Sequence, residues 1–448
     1  MLDRTSRPRE AEVVVLWERL ARVGSVLRAE TGEQVRVVYP GRANDGRGAD
    51  FTDVVVAIDG RRCRGDIEIH VRSSDWRSHG HHRDAAYDRV VLHVVMWNDD
   101  TPAVLRSGGG RVPVVALEAA VWPADGSEPT GAPCRRAGED AARLDRVERP
   151  DSRLGRIERA GEARFLAKAA AFADDLTRMA AGQALYRGIM AALGYTRNKA
   201  AFLELAGRAP LAALEGIARV AGPAGDCPSR LRDYLLAVAG LSGADGPGGE
   251  AGAMSPSAWQ LFRVRPAGSP ARRLAAMGHL IGRYRRSGLL AGLMAAVAER
   301  ALEARCHRSL EDALVVAGGD RETALLGRRC AAEIVVNVLL PFAVAWARRE
   351  GNTGLERSAR AAYLGYPSLP DNAVVRHMRR QLGLVGRDVA SACRQQGLMH
   401  VYRTRCTQGK CPGCRMIRAP DSFRLGNLVG RRQPEAGDDV DVESVGQP

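Results

Sequence analysis

The stretch Gly65-Asp66-Ile67-Glu68-Ile69-His70-Val71 decides the fold of the N-terminal part of this chain. Polar and apolar residues alternate strictly along it, so a β-strand would place Asp66, Glu68 and His70 on one face and the aliphatic residues on the other. Carboxylates and an imidazole on one surface are groups that bind metal ions or move protons. Five of the nine histidines lie between positions 70 and 93, which indicates that this chemistry is concentrated here.

The segments around this stretch predict an α/β domain over residues 1–122. Their periodicity indicates a helix at 9–30, strands at Val35–Tyr39, Val54–Ile58, Arg64–Val71 and Val90–Met96, and a hairpin over Val104–Leu105 and Val112–Leu117. Asp59-Gly60 is a turn signal, which would join the second strand to the third as a hairpin. With a helix or a long ordered loop at Asp75–Arg89, the element order is α-β-β-β-α-β.

The composition changes after residue 122. Residues 123–161 are rich in Pro, Gly, Asp and Arg, which predicts a linker or a flexible insertion. Residues 162–400 have the Ala- and Leu-rich pattern of a large all-α domain. We expect a Cys-rich metal-binding segment at 401–429 and a disordered acidic tail at 430–448.

The charge of the chain favours a polyanionic partner. Its 448 residues include 66 Lys and Arg against 52 Asp and Glu, a formal net charge of +14. Arginine supplies most of the positive charge, and its planar guanidinium suits phosphate contacts. We therefore expect nucleic acid as the partner, and DNA rather than RNA.

The chain has no feature that predicts export or membrane insertion. Its N-terminus lacks the apolar core of a signal peptide. The longest apolar run, Ile334 to Ala347, is shorter than the roughly 20 residues that a bilayer span requires. We therefore expect a cytoplasmic protein with no membrane partner.

Two carboxylates are candidate metal ligands. Asp50 precedes the Val54–Ile58 strand and Glu68 lies in the middle of the next one, so a hairpin across Gly60 would bring them together. Carboxylates, water and phosphate oxygens are the ligands that Mg²⁺ prefers, and Mn²⁺ accepts them as well. His70 would share the face of Glu68 and would orient water, whereas Asp66 lies nearer the turn and is the weaker candidate.

The pattern Ala49-Asp50 … Glu68-Ile69-His70, in the order α-β-β-β-α-β, resembles the PD-(D/E)XK nuclease superfamily. The resemblance implies a restriction-endonuclease-like fold and a Mg²⁺-dependent endonuclease-type hydrolase acting on DNA. Asp50 and Glu68 would bind the metal, and His70 stands where the superfamily has a lysine.

The segment with Trp76, His79 and His82 also resembles the mismatch-repair endonuclease branch of that superfamily, in which histidines assist the metal chemistry. His79 and His82 are three residues apart and would share one face of a helix. Both are therefore candidate catalytic residues.

A second resemblance covers nearly the whole chain. It is to an uncharacterised bacterial domain-of-unknown-function family, through Tyr39-Pro40-Gly41-Arg42, Asp50-Phe51, Gly65–His70, Asp75-Trp76, His79-Gly80-His81, Tyr87, Leu92–Val95, Gly194-Tyr195, Arg265-Pro266 and Asn337. That family has no established activity, so the resemblance implies no function.

Four residues near the candidate metal ligands are candidate nucleic-acid contacts. Arg42 and Asn44 lie in the loop before Asp50, where they suit either phosphate contacts or turn roles. Arg72 and Arg77 follow the alternating strand.

Two other functions fit the same residues. One is a non-catalytic nucleic-acid-binding or scaffold protein on a degenerate nuclease fold. The other is a Zn-dependent metallohydrolase of a small substrate, with a centre built from His70, His79, His82 and Glu68. His81 suits an ordinary surface position, and His93 suits a hydrogen-bonded position in the core.

The cysteine motif Cys406-x4-Cys411-x2-Cys414 predicts a structural metal site near the C-terminus. Its short spacings can hold thiolates around one Zn²⁺ ion, and an iron–sulfur cluster is the alternative. Cys393 or His400 would supply the fourth ligand. The Cys-x2-Cys pair could instead be redox-active.

Overall fold

The computed structural model describes residues 8–118, 152–220, 227–242, 253–318 and 324–416, except for 22, 45, 262–263, 265–267, 301–305, 412–413 and 415. The expected acidic tail at 430–448 lies outside these residues. So do most of the predicted linker and the part of the Cys-rich segment beyond residue 416.

The N-terminal region is built on one mixed sheet. Its elements are α1 (Glu10–Leu20), β1 (Val26–Arg28), β2 (Gln34–Tyr39), β3 (Arg42–Ala43), β4 (Phe51–Ile58), β5 (Arg61–Arg72), α2 (Asp75–Ser78), β6 (Val90–Trp97), β7 (Ala103–Leu105) and β8 (Arg111–Ala116). The strand order is β1-β2-β4-β5-β6-β8-β7, and β3 pairs with β4. Strands β1, β2, β4 and β5 are antiparallel neighbours, whereas β5, β6 and β8 run parallel.

The predicted strands and both hairpins are confirmed, and two predicted helices are shorter than expected. The helix expected over 9–30 ends at Leu20, and β1 follows it. In the segment Asp75–Arg89, only α2 is an α-helix. Gly80 then takes a left-handed conformation with φ 76°, and two 3-10 turns carry the chain to β6. This parallel crossover brings the histidine-rich segment over the sheet.

The two faces of the sheet have different partners. On one face, Val13 and Trp17 of α1 pack against a core that includes Ile67 and Ile69 of β5. The alternation of β5 therefore turns Glu68 and His70 to the opposite face. The histidine crossover and part of the helical region cover that second face.

The helical region begins at Arg153, inside the segment predicted as a linker. Its helices are α3 (Arg153–Arg178), α4 (Ala181–Leu193), α5 (Lys199–Arg208), α6 (Leu211–Val220), α7 (Cys227–Val238), α8 (Pro270–Arg283), α9 (Leu289–Arg300), α10 (Cys306–Asp312), α11 (Arg328–Ile334), α12 (Leu340–Arg349), α13 (Thr353–Leu364), α14 (Ala373–Leu382) and α15 (Ala392–Thr404). The prediction of a linker up to residue 161 was wrong from Ser152 onward. The Ser152 hydroxyl accepts a hydrogen bond from the Gly155 N–H at 3.0 Å and caps α3.

A π-helical segment, Val335–Leu339, joins α11 to α12. By length and composition, the combined helix Arg328–Arg349 is apolar enough to cross a membrane, but 83% of its apolar window is buried inside the protein. The buried core helix of a soluble protein can have the same length and apolar composition, so this finding is weak evidence for a membrane span.

Helices α3 and α15 pack together through two glycines. A Cβ atom added at Gly161 would lie 2.1 Å from the Cys393 carbonyl oxygen, and one added at Gly397 would lie 1.9 Å from the Ile157 carbonyl oxygen. Only glycine allows the two backbones to approach this closely.

The helical region contacts the sheet through α14 and α15. Tyr39 and Val55 share a buried cluster with Met378 of α14 and Tyr402 of α15. The Tyr402 hydroxyl donates a hydrogen bond of 2.6 Å to Asp53 Oδ2. Asp53 itself has a φ of 60°, which is rare for a residue with a side chain. A strained residue in the sheet is thus tied to the helical region.

We expect Tyr402→Phe to lower the free energy of unfolding by about 1–2 kcal/mol, because Asp53 would lose its hydroxyl donor. Thermal or urea unfolding of the full chain measures this change. Tyr186→Phe is the matched control, because the buried Tyr186 hydroxyl has no hydrogen-bond partner among the described residues. The control should be neutral or stabilising, and equal losses in both variants would contradict a role for this contact.

Candidate metal centre

Five elements position the polar cluster on the second face of the sheet. Glu68 and His70 come from β5, His93 from β6, and Asp50 from the residue before β4. His79 follows α2, and His81 begins the next 3-10 turn. Because β5 and β6 are parallel and in register at Glu68 and His93, their polar side chains share one surface.

Three of these histidines have ligand atoms that converge, and Glu68 lies close to two of them. Glu68 Oε1 lies 3.1 Å from His81 Nε2 and 3.5 Å from His70 Nε2. His79 Nδ1 lies 3.1 Å from His70 Nε2. The ligand nitrogens of the three histidines all lie within 4.8 Å of one another.

These spacings fit ligands that share one metal ion. With metal–ligand bonds of about 2.0–2.1 Å, tetrahedral geometry separates neighbouring ligand atoms by about 3.3 Å. The measured separations of 3.1 and 3.5 Å lie on either side of that value. Within the described residues, this histidine set is the only group of three or more possible ligands that converges to this degree.

His81 provides an independent sign of a missing partner. Its ring is 7% exposed, and its Nε2 atom is buried without a hydrogen-bond partner in the described structure. The 3.1 Å contact of that atom with Glu68 Oε1 has the distance of an ion pair but not the alignment of a hydrogen bond. A buried nitrogen in this state is satisfied when a cation lies between it and the carboxylate.

His70 is held neutral by its surroundings. Burial, followed by the neighbouring His93, lowers the pKa of His70 to about 2. Its Nδ1 atom is 2.9 Å from His93 Nε2, so the second ring fixes the orientation of the first. His70 therefore does not replace the positive charge of a lysine, and its Nε2 atom, which lies beside His79 and Glu68, is suited to metal binding. His93 occupies the hydrogen-bonded core position that the sequence predicts.

Asp50 lies beside Glu68, as the hairpin predicts. The Asp50 N–H donates to Glu68 Oε2 at 3.2 Å, and Asp50 Oδ2 accepts from the Ile69 N–H at 2.9 Å. Burial and the Glu68 charge raise the pKa of Asp50 to about 7, and burial raises the pKa of Glu68 to about 8. Glu10, at the start of α1, adds negative charge that raises both pKa values further.

In the structure, His81 joins the cluster of possible metal ligands in place of the predicted His82. His82 was expected to share a helical face with His79, but the helix ends at Ser78 and Gly80 turns the chain. His81 therefore enters the cluster, while no contact of His82 with it is found among the described residues. The sequence signal for this change was the glycine between His79 and His81.

Asp66 is separate from the cluster, as expected. It is buried, but its Oδ1 atom accepts from the Asp53 N–H at 3.1 Å and lies 3.5 Å from Arg89 Nη2. Asp66 therefore supports the irregular start of β4.

The four predicted nucleic-acid contacts are largely engaged within the protein. Arg42 donates to Thr52 Oγ1 at 3.2 Å, and Asn44 donates to the Ala49 carbonyl at 2.9 Å and holds its own turn. Arg72 and Arg77 lie 3.8 and 3.9 Å from the carboxylates of Asp99 and Asp100. Arg72 and Arg77 remain exposed. Their contact with phosphate stays a prediction.

The cysteine site differs from the prediction at Cys393. That residue lies at the start of α15 and Cys406 lies just beyond its end, so the helix of 13 residues separates them by about 18 Å. Cys393 is therefore not the fourth ligand. The Cys414 N–H donates a hydrogen bond of 3.0 Å to the Cys411 carbonyl oxygen. In the part of the chain that the structure describes, the sulfurs of Cys406, Cys411 and Cys414 do not converge as the histidines do. Zinc or an iron–sulfur cluster at this site remains a prediction.

Residues 10–221 match a family model described as protein of unknown function (DUF2851). The match supports the resemblance to a domain-of-unknown-function family, over a little under half of the chain rather than nearly all of it. It lends no support to the nuclease resemblance. No curated protein and no solved structure matches the chain.

Proposed function

We propose that this chain, whose residues 10–221 match a family of unknown function, is a metal-dependent hydrolase of phosphodiesters in nucleic acid. The observation that carries the proposal is the convergence of the nitrogens of His70, His79 and His81. Glu68 Oε1 lies close to two of these histidines, His70 and His81. These four side chains would hold one metal ion. The sequence alone favoured Mg²⁺ on Asp50 and Glu68, but a set of three nitrogens and one oxygen suits Zn²⁺, Mn²⁺ or Fe²⁺ better.

The ion would lower the pKa of a bound water and stabilise charge on the phosphate, which is the chemistry that such hydrolysis requires. His79 is exposed while His70 and His81 are buried, so substrate would approach from the His79 side. Asp50 is placed to take a proton from water and return it to the leaving group, because it lies beside Glu68. His93 would hold the His70 ring in place through the 2.9 Å contact.

The arrangement of the elements supports a nuclease. The order α1, β2, β4, β5, α2, β6 is the α-β-β-β-α-β order of the nuclease resemblance, with Asp50 immediately before β4 and Glu68 on the neighbouring strand β5. Strands β1, β7 and β8 extend the sheet at its two sides, and β3 pairs with the first residues of β4, so that core is kept.

A row of arginines supports a polyanionic substrate. Arg62 and Arg64 lie on the same face of β5 as Glu68 and His70, and Arg36 faces Arg62 across β4. All three arginines are exposed, and none forms a salt bridge with a described carboxylate. A phosphate backbone that follows this row would run along β5 towards the metal centre.

Hydrolysis of plasmid DNA and of bis(p-nitrophenyl) phosphate by the full chain tests the proposal. With added Zn²⁺ or Mn²⁺, we expect turnover that falls by about 100-fold or more in His81→Ala, because the water-activating ion is lost. His82→Ala is the matched control and should keep its activity.

Two outcomes would overturn the proposal. Metal binding without cleavage of either substrate would favour the scaffold on a degenerate nuclease fold. Cleavage of the small diester alone, with no salt-dependent DNA binding, would favour the small-substrate metallohydrolase.

A further inference from the structure

A second polar cluster lies between α3 and α15 in the helical region. Arg164 and Lys168 are one turn apart on α3, and Gln396, His400 and Arg403 follow the i, i+4, i+7 spacing of one face of α15. Gln396 Oε1 accepts hydrogen bonds from Arg164 Nε at 2.8 Å and from Lys168 Nζ at 2.9 Å. The cluster thus gathers three cations and an imidazole around one amide.

The carboxylates of α3 do not neutralise this cluster. Glu158 pairs with Arg394 at 2.7 Å and Glu162 pairs with Arg360 at 2.9 Å. Within the described residues, no carboxylate lies within 4.0 Å of a basic nitrogen of Arg164, Lys168 or Arg403. Positive charge is therefore in excess where two helices meet.

The electrostatics of Lys168 show that excess. Burial, followed by the charges of Arg164 and Arg403, lowers the pKa of Lys168 to about 7, and Glu333 opposes the shift only partly. Burial and Arg403 also lower the pKa of Arg164 to about 10. Lysine is rare in this chain, at three positions among 66 basic residues, and one of them lies here. A bound anion would relieve the repulsion between these groups.

The free hydrogen-bonding groups of the three basic side chains, Arg164, Lys168 and Arg403, are donors. Lys168 uses two acceptors, the side-chain oxygens of Asn337 and Gln396, and the Arg164 guanidinium uses one. The remaining N–H groups of Arg164, with those of the exposed Arg403, match a ligand that only accepts. A phosphate group has this character, and arginine binds it in a bidentate manner.

We propose that Arg164, Lys168, His400 and Arg403 form a binding site for a phosphate group, carried by a phosphorylated small molecule or by a nucleic-acid backbone. None of its residues belongs to the metal centre. The site therefore stands whether or not the chain is a hydrolase.

Isothermal titration of the full chain with pyrophosphate, a nucleoside 5′-monophosphate and a short single-stranded DNA tests the proposal. A chelator in the buffer keeps the metal centre from contributing. We expect saturable binding, weakened about 10-fold by Arg403→Gln and more by Lys168→Met. Arg403 is exposed, so its variant should fold even where Lys168→Met does not.

Arg357→Gln is the matched control, because it removes an exposed arginine of α13 that has no salt bridge in the described structure. Its affinity should equal that of the unaltered chain. Tighter binding of DNA than of pyrophosphate would identify the backbone as the source of the phosphate, and the reverse order would identify a small molecule. Absence of saturable binding, or equal affinity in Arg403→Gln and Arg357→Gln, would overturn the site.

The pH dependence of sulfate binding tests whether Lys168 contributes to the site. Sulfate is suited to this measurement because its charge is constant between pH 5 and 9. An anion binds the protonated amine, so affinity should fall as pH rises through the Lys168 pKa of about 7. The groups that face Lys168 are Arg164, Arg403, His400, Glu333 and the two amides. Of these, His400 has a pKa that burial, followed by Arg164, lowers from its usual range. A flat profile in the unaltered chain would contradict a role for Lys168.

Discussion

His81→Ala is expected to lower the affinity of the N-terminal site for Zn²⁺ by about 100-fold or more. The variant removes one of the three converging histidine nitrogens, and the lost nitrogen, 3.1 Å from Glu68 Oε1, is buried without a hydrogen-bond partner in the described structure. Metal analysis of the purified chain, together with competition against a fluorescent chelator, measures the change. Glu68→Gln should have a similar effect, because a neutral amide oxygen is a weaker ligand than a carboxylate.

His82→Ala is the control for this result, since His82 is the neighbouring residue and has no described contact with the cluster. It should bind one equivalent of the ion with unchanged affinity. Equal metal content in the His81 and His82 variants would show that the histidines do not form a metal centre. The cysteines near the C-terminus add a complication, so the count should be repeated in a Cys411→Ser background.

The second large effect is expected at the contact of α3 and α15. Gly397→Ala should lower the free energy of unfolding by about 3 kcal/mol, because the new methyl group would lie 1.9 Å from the Ile157 carbonyl oxygen. The obstacle is backbone within a helix, so it cannot be relieved by rotating a side chain. The urea midpoint of the full chain measures this loss.

Gly216→Ala is the matched control, because Gly216 lies inside α6 with no atom within 4 Å of an added Cβ. It should raise the free energy of unfolding by about 0.5–1 kcal/mol, through the better helix propensity of alanine. A neutral Gly397→Ala variant would mean that the two helices separate without cost, and the packing argument would fail.

The strands of the N-terminal region were predictable because each has a local signature. Period-2 alternation identified β5, continuous apolar runs identified β4 and β6, and Asp59-Gly60 identified the hairpin. The pairing of Asp50 with Glu68 followed from that hairpin alone. These strand and turn signals depend on residues close in sequence, so they can be recognised without knowledge of the tertiary structure.

The choice between His81 and His82 was not predictable in the same way. It depends on the left-handed conformation at Gly80, which moves the following residues off the face of the preceding helix. The prediction of Cys393 as the fourth ligand was wrong for a related reason. Two residues 13 positions apart can lie close together in a loop, but in a helix they are about 18 Å apart. Spacing in sequence becomes distance only when the intervening conformation is known.

Helix α15 connects two parts of the molecule that have been treated separately. Arg403 belongs to the cationic cluster, while the adjacent Tyr402 holds Asp53, three residues after Asp50 in the sheet. Two ligands that bind the same protein obey thermodynamic linkage. Any factor by which an anion at Arg403 alters the affinity for metal is also the factor by which the metal alters the affinity for the anion.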